Sequence, residues 1–342
     1  MPSTQSQFVL PDLRVMCPFE GAISPHYPEA ADMSSAWIRS FNMFKDRKRE
    51  FFLQMGSELL CAHVYWYADF ERFRACCDFV NILFTLDEIS DEQNEKDARK
   101  TGLVFLNALR DASFDDGSRL CKISQDFRAR LAKHSGPTCY RRFVGLCNDY
   151  IEAVAVEADL RERGVILDVE PYMLLRRENS AVRFCFGLFE YILGIDLPDE
   201  IYAHPVFKRM HLAAIDMVCW ANDLYSYNME QAMGHTTNNV MSVLMKHKQV
   251  DLQGASDLVG VHFKKLIDGF LADKARLPSW GPELDRDVVQ VVNCMEQWVV
   301  GNLDWSFETQ RYFGRDHLEI KRTLVVKLSP KRFDDSSDEE SD

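Results

Sequence analysis

The chain has 342 residues, of which 46% are hydrophobic and 12% aromatic, with only 16 glycines and 12 prolines. Its 40 lysines and arginines against 53 aspartates and glutamates give a net charge of −13, which argues against nucleic-acid binding through a basic surface. No linker divides the sequence, so we predict one large domain with a sizeable core.

Cysteine usage and the chain start indicate the compartment. The ten cysteines form no CxxC pair, which favours buried reduced thiols over a disulfide framework or a zinc site. The first residues show no signal-peptide pattern, and no apolar run is long enough to span a bilayer. We therefore predict a soluble, cytoplasmic protein that binds neither nucleic acid nor membrane.

The chain divides into three segments by composition. Residues 1–30 contain five prolines and are predicted to be irregular. Helical periodicity continues from there to about residue 325, so residues 31–325 are predicted to form a single all-α domain. Residues 326–342 end in an acidic run that cannot bury enough apolar surface to fold, which predicts a disordered tail.

The first informative helix carries an apolar stripe that runs from Phe73 to Phe84 and continues on the same face into Asp87 and Asp91. A core-facing stripe that ends in carboxylates must leave the core there or meet a cation. For the acidic run alone, the better interpretation is a helix that simply emerges into solvent.

The second informative helix shows the same design. After apolar positions at Ile215 and Val218, it carries Asn222, Ser226 and Glu230 at i, i+4 and i+8, so their side chains share one face. All three offer oxygen, the donor that magnesium prefers, and a substrate phosphate commonly completes the shell of such an ion. Ordinary exposed polar positions explain this helix alone equally well.

Two helices of this kind, facing each other, predict a pocket with an apolar interior and a metal-binding mouth. A substrate that matches it has a hydrocarbon tail and a diphosphate head.

At this point the sequence resembles class I terpene synthases, specifically the sesquiterpene synthases of basidiomycete fungi. Four elements in the same order carry the resemblance across nearly the whole chain except the acidic tail. They are the D-E-x-x-D motif at 87–91, an arginine at Arg176, the N-D-x-x-S-x-x-x-E motif at 222–230, and the pair Arg311-Tyr312.

The strings at 176–182 and 234–239 resemble the subgroup of cubebol, cadinene and germacrene D type synthases. Many family members carry lysine immediately before the glutamate of the second motif, where this chain has Met229. The diphosphate is then expected to contact one positively charged side chain fewer.

The resemblance implies a single-domain helical bundle around a central apolar pocket, three Mg²⁺ ions, and farnesyl diphosphate as substrate. It implies a lyase that ionises this substrate, cyclises the cation by 1,10 closure and releases diphosphate. The implied metal ligands are Asp87, Asp91, Asn222, Ser226 and Glu230. The implied diphosphate-binding residues are Arg176, Arg311 and Tyr312.

The resemblance also suggests residues around the hydrocarbon. Phe84 and Trp305 are candidates to stabilise carbocations with their ring faces. The 234–239 loop is a candidate lid through His235, Asn238 and Asn239. Plain core aromatics and an ordinary surface connection are the respective alternatives.

Two other functions stay open from the sequence. One is a chain-elongating prenyltransferase, which shares the helical fold and magnesium chemistry but carries a second aspartate-rich motif. The other is a non-catalytic helical interaction protein. Product identity, preference for farnesyl over geranyl diphosphate, and the choice between monomer and homodimer are not predicted.

Overall fold

The computed structural model describes residues 6–44 and 56–330, and these residues are mainly helical, as predicted. The helices are α1 (Leu13–Met16), α2 (Tyr27–Ser40), α3 (Ser57–Val64), α4 (Phe70–Ser90), α5 (Glu95–Arg110), α6 (Arg119–His134), α7 (Pro137–Glu162), α8 (Val169–Asn179), α9 (Val182–Phe186), α10 (Phe189–Leu193), α11 (Asp199–Ala203), α12 (Pro205–Met233), α13 (Val240–Lys248), α14 (Leu252–Lys274), α15 (Pro282–Glu308) and α16 (His317–Thr323). The other regular elements are strands β1 (Gln7–Val9) and β2 (Val325–Lys327) and a 3-10 turn at Gly314–Asp316.

Helix α12 is central to the bundle. It starts at Pro205, whose fixed φ suits a first helical turn, and it ends before Gly234, which adopts the left-handed φ of 82°. Helices α14 and α15 pack against it, and α8 and α13 also contact it. Because α12 is covered on several sides, Asp223, Ser226 and Asn228 in its C-terminal half are buried, and Asn222 and Glu230 are half-buried.

Helix α4 is the second helix that defines the interior. Asp69 caps it by accepting a hydrogen bond from the amide of Arg72 at 2.9 Å. Helices α2, α3 and α6 pack against α4, and its stripe from Phe73 to Val80 is buried. The predicted apolar face therefore points into the core.

The structure differs from the predicted boundaries at both ends of the chain. Residues 1–30 contain β1, α1 and the start of α2, and the predicted tail at 326–342 contains most of β2. The two strands pair antiparallel, with Phe8 opposite Val326, and both side chains are buried. Such short strands are invisible to sequence periodicity because they span less than two repeats. The acidic residues 331–342 lie outside the described residues.

All ten cysteines are buried and free of disulfides, as predicted. Over residues 6–44 and 56–330, no helix combines the length and the apolar character that a bilayer crossing requires.

Candidate active site

The end of α4 separates the two predicted acidic ligands. Asp87 lines an internal cavity. Asp91 is the C-cap residue of α4, and its carboxylate pairs with the Arg161 guanidinium at 3.2 Å with 43% of its side chain exposed. The structure thus places Asp87 in the cavity, while Asp91 lies at its rim against α7.

The three predicted ligands on α12 lie on one face of the helix. The Asn222 side chain donates to the Tyr312 hydroxyl at 2.7 Å and accepts from the Arg176 guanidinium at 2.7 Å. The hydroxyl of Ser226 is buried one turn later. The Glu230 carboxylate follows, and accepts a hydrogen bond from the Asn239 amide at 2.9 Å.

Two arginines, Arg176 and Arg311, line the same cavity as Asp87 and Asn222. Arg176 forms an ion pair with Asp223 at 2.9 Å. The Arg311 guanidinium lies over the ring of Phe84, 4.9 Å from its centroid, and its Nε atom is buried without a hydrogen-bond partner. A guanidinium with a buried, unused donor is suited to an anionic ligand.

Asp223 is a buried carboxylate that the sequence interpretation left without a role. Besides Arg176, it accepts hydrogen bonds from the Tyr172 hydroxyl and from the backbone amide of Val240 at 2.9 Å. Burial raises its pKa, and the charge of Arg176 opposes that rise. The sequence signal that could have identified Asp223 was its position inside the 222–230 motif. The helical-face argument missed it because its side chain points about 100° away from that of Asn222 around the helix.

The internal cavity has a volume of about 150 Å³. Its apolar part precedes the polar groups on the same helices, since Val80 and Phe84 come before Asp87 on α4, and Val218 comes before Asn222 on α12. Further apolar lining comes from Leu60, Leu83, Val182, Trp298 and Trp305. The cavity therefore has an apolar interior and a polar end, as the two motifs predict.

Trp305 is almost fully buried and donates its indole N–H to the carbonyl of Gly56 at 2.8 Å. Its ring meets that of Tyr312 edge to face, 5.6 Å between centroids. Two other groups that line the cavity have unused donors. The indole nitrogen of Trp298 and the side-chain amide nitrogen of Asn302 are buried without hydrogen-bond partners.

A second cavity of about 750 Å³ lies beyond the Arg311-Tyr312 pair. The end of α12, the segment around Gly314, helix α16 and the β2 segment form its other walls. Arg311 and Tyr312 line both cavities, so this pair forms part of the wall between them.

The 234–239 loop is tied to the site at its far end. Asn239 donates to the carbonyl of Asp223 at 2.8 Å as well as to Glu230. Asn238 donates to the carboxylate of Glu157 at 2.9 Å. The backbone amide of His235 donates to the carbonyl of Glu230 at 2.9 Å.

Three carboxyl groups in or beside the site, those of Asp87, Glu230 and Glu157, have raised pKa values. Burial raises the pKa of Asp87 to about 6, with a further contribution from the charge of Asp91. Burial also raises the pKa of Glu230 to about 7, and the pKa of Glu157 to about 7. Because burial disfavours the charged forms of these groups, a cation bound among them would stabilise the ionised carboxylates.

Several known proteins are similar to this chain. Residues 78–268 match the family model described as terpene synthase family 2, C-terminal metal binding. A Coprinopsis cinerea protein named linoleate 10R-lipoxygenase COP4 is 52% identical over 100% of this chain and 99% of its own length. The bifunctional terpene synthase Agr4 of Cyclocybe aegerita is 50% identical over 100% of this chain and 99% of its own length.

Among solved structures, a hedycaryol synthase superposes with a TM-score of 0.77 at 20% identity, over 87% of this chain and 98% of that one. At this level of identity the likeness concerns the fold alone. The sequence relatives carry the assignment further, because the matched family region contains both oxygen-rich motifs and Arg176. The chain therefore belongs to the terpene synthase family, whose enzymes are lyases that act on prenyl diphosphates.

Proposed function

We propose that this protein is a magnesium-dependent sesquiterpene synthase that ionises farnesyl diphosphate and cyclises the resulting cation. The observation that carries the proposal is the convergence of oxygen donors and guanidinium groups at one end of an apolar cavity. A diphosphate head at that end and a hydrocarbon tail in the interior match this division.

The diphosphate would meet Arg176, Arg311 and Tyr312. Arg311 is the best evidence for an anion, because an unpaired buried donor costs about 1–3 kcal/mol until a partner satisfies it. Guanidinium groups bind phosphate oxygens in bidentate geometry, and their charge stabilises the leaving diphosphate as the C–O bond breaks.

The donor set of the site fits magnesium. Amide, hydroxyl and carboxylate oxygens from Asn222, Ser226 and Glu230 lie on one helix face, and Asp87 lies on the facing helix. These are hard ligands, too few to enclose an ion without phosphate oxygens. Asp91 would join them after exchanging its partner Arg161. Bound Mg²⁺, three ions by family resemblance, supplies positive charge to the departing diphosphate.

The apolar interior would hold the hydrocarbon and exclude water from the allylic cation. At about 150 Å³ the cavity is smaller than the roughly 300–1,000 Å³ of typical ligand sites. Substrate entry therefore requires side chains to move. If Arg311 turns from the ring of Phe84 to the diphosphate, it frees that ring face for a carbocation. Trp305 offers a second ring.

Two finer parts of the proposal rest on relatives. A fifteen-carbon substrate follows from the resemblance to fungal sesquiterpene synthases. The initial 1,10 closure follows from the resemblance at 176–182 and 234–239 to the cadinene and germacrene D type subgroup.

The test is incubation of the purified protein with farnesyl diphosphate, with and without Mg²⁺, followed by gas chromatography–mass spectrometry. We expect cyclic sesquiterpenes that require Mg²⁺ and are lost in Asp87→Ala and Asn222→Ala. Absence of volatile products from farnesyl and geranyl diphosphate would overturn the proposal. A parallel incubation with linoleate in air tests the chemistry in the name of the 52% identical relative; we expect no oxygenated fatty acid.

A further inference from the structure

Glu157 lies near the end of α7, between α8 and the loop that joins α12 to α13. One of its carboxylate oxygens accepts a hydrogen bond from the Asn179 amide at 2.7 Å, and the other accepts from the Asn238 amide at 2.9 Å. One side chain thus joins two segments that are distant in the sequence.

Both segments lead directly to candidate site residues. Asn179 is the last residue of α8, three positions after Arg176, and it lines the internal cavity. Asn238 precedes Asn239, whose amide holds the Glu230 carboxylate at 2.9 Å. The contacts of Glu157 therefore connect the arginine-bearing helix with the far end of the 234–239 loop.

Helix α7 also holds the other side of the site. One turn after Glu157, Arg161 pairs with Asp91 at 3.2 Å and donates to the carbonyl of Ser90 at 3.0 Å. The end of α7 is therefore a common anchor for α4, α8 and the loop. The two oxygens of the Glu157 carboxyl group accept from different segments, so this one side chain can hold the end of α8 and the loop together.

We propose that Glu157 is a positioning residue that clasps the 234–239 loop to the end of α8, so that the loop stays docked against Asp223 and Glu230 while the cation exists. The inference rests on the proposed function, and it assigns a specific contact to the closure that such chemistry needs.

Loss of the clasp has a chemical signature. Ionisation breaks the bond between C1 and the diphosphate oxygen, and the electron pair leaves with the diphosphate. If the loop opens at this stage, a water oxygen forms a new C–O bond to the allylic cation and releases a proton to solvent. The products are then the acyclic alcohols farnesol and nerolidol in place of cyclic sesquiterpenes.

Two single variants and their combination test the contact. Glu157→Gln presents an amide N–H to the amide of Asn238, and Asn238→Asp places two carboxylates face to face. In the double variant, the new amide at position 157 donates to the new carboxylate at position 238, while the amide carbonyl at position 157 still accepts from Asn179. We expect the acyclic fraction to rise about tenfold in Asn238→Asp and to return towards the wild-type value in the double variant.

A second readout does not depend on turnover. Hydrogen–deuterium exchange of the apo protein should speed up about tenfold in peptides that cover 234–239 in both single variants, which corresponds to about 1.4 kcal/mol. The double variant should restore slow exchange. If the wild type makes no terpene while these exchange rates follow the pattern, the proposed function fails and the clasp stands.

The matched control is Glu152→Gln on the same helix, because Glu152 pairs with Arg99 away from the loop. It should change neither the exchange of 234–239 nor the product fractions. The clasp is overturned if Asn238→Asp leaves exchange and products unchanged, or if the double variant is no better than the sum of its singles.

Discussion

The side-chain oxygen of Asn222 accepts a hydrogen bond from the Arg176 guanidinium at 2.7 Å. The atom proposed to bind a metal ion is therefore held by the residue proposed to bind diphosphate. An ion can use this oxygen fully only after Arg176 has turned away. Bound diphosphate would attract Arg176 and so release the Asn222 oxygen. Diphosphate and the metal ion should therefore bind cooperatively.

Thermal unfolding measures this cooperativity. We expect Mg²⁺ alone and inorganic diphosphate alone to raise the melting temperature slightly, and both together to raise it by more than the sum. Asn222→Ala should lose the excess. A full shift with Mg²⁺ alone would contradict the coupling.

The neighbouring arginines 176 and 177 provide a matched pair of variants. Arg176→Ala should reduce kcat/KM about 10²–10³-fold, because it removes a donor to the leaving group. Arg177 instead forms two hydrogen bonds of 2.7 Å to the buried Asp216. Arg177→Ala should cost about 3 kcal/mol of stability by leaving that carboxylate unpaired, with the kcat of the folded protein unchanged. Steady-state kinetics and denaturant unfolding separate the two effects, and equal losses of kcat would contradict the assignment.

Asn239 orients a proposed metal ligand without touching the ion. Because its amide holds the Glu230 carboxylate at 2.9 Å, Asn239→Ala should raise the Mg²⁺ concentration for half-maximal turnover about 10–100-fold. At saturating Mg²⁺ the kcat should recover. A kcat that stays low at every Mg²⁺ concentration would indicate damage to the loop instead.

His211 provides a test of pH-dependent stability away from the site. Burial among aromatic rings lowers its pKa to about 3, from an ordinary value near 6.5. Below pH 6.5 this histidine is protonated in the unfolded chain but stays neutral in the folded protein. The free energy of unfolding therefore falls as the pH drops from 6.5 towards 3. At pH 5 this loss is about 2 kcal/mol. Denaturant unfolding of His211→Phe should show a correspondingly smaller decline from pH 7.5 to pH 5, and an unaltered decline would refute it.

The amide of Asn302 has a buried nitrogen without a partner beside an apolar cavity. Replacement by leucine, which has a similar size, should raise stability by about 1–3 kcal/mol. We expect turnover to fall in the same variant. A buried amide without a hydrogen-bond partner destabilises the protein, so its presence beside the cavity indicates that it contacts the substrate. Thermal unfolding and kinetics of Asn302→Leu check this, and unchanged turnover would make the residue a simple packing defect.

Much of the site was predictable because its residues repeat along single helices. Asn222, Ser226 and Glu230 follow the helical period, so their common face requires no knowledge of neighbouring helices. Asp91 shows the limit of this argument. It belongs to the period of α4 but lies where the helix ends, and Arg161 of α7 draws its carboxylate to the rim.

The partners that hold the site together were not predictable in this way. Glu157 lies on a different helix from both asparagines it binds, and no spacing in the sequence relates the three. The short β1–β2 pair was not predicted for a related reason, because its hydrogen bonds join segments that are more than 300 residues apart in the sequence.

That strand pair has a practical consequence for protein engineering. Strand β2 is held on one side by β1 and on the other by Asn228, which donates to the carbonyl of Lys327 at 3.1 Å and accepts from the amide of Ser329 at 2.8 Å. Asn228 lies on α12 between Ser226 and Glu230. A truncation or affinity tag at the amino terminus, far from any motif, therefore acts through one strand on the helix that carries the metal-binding side chains.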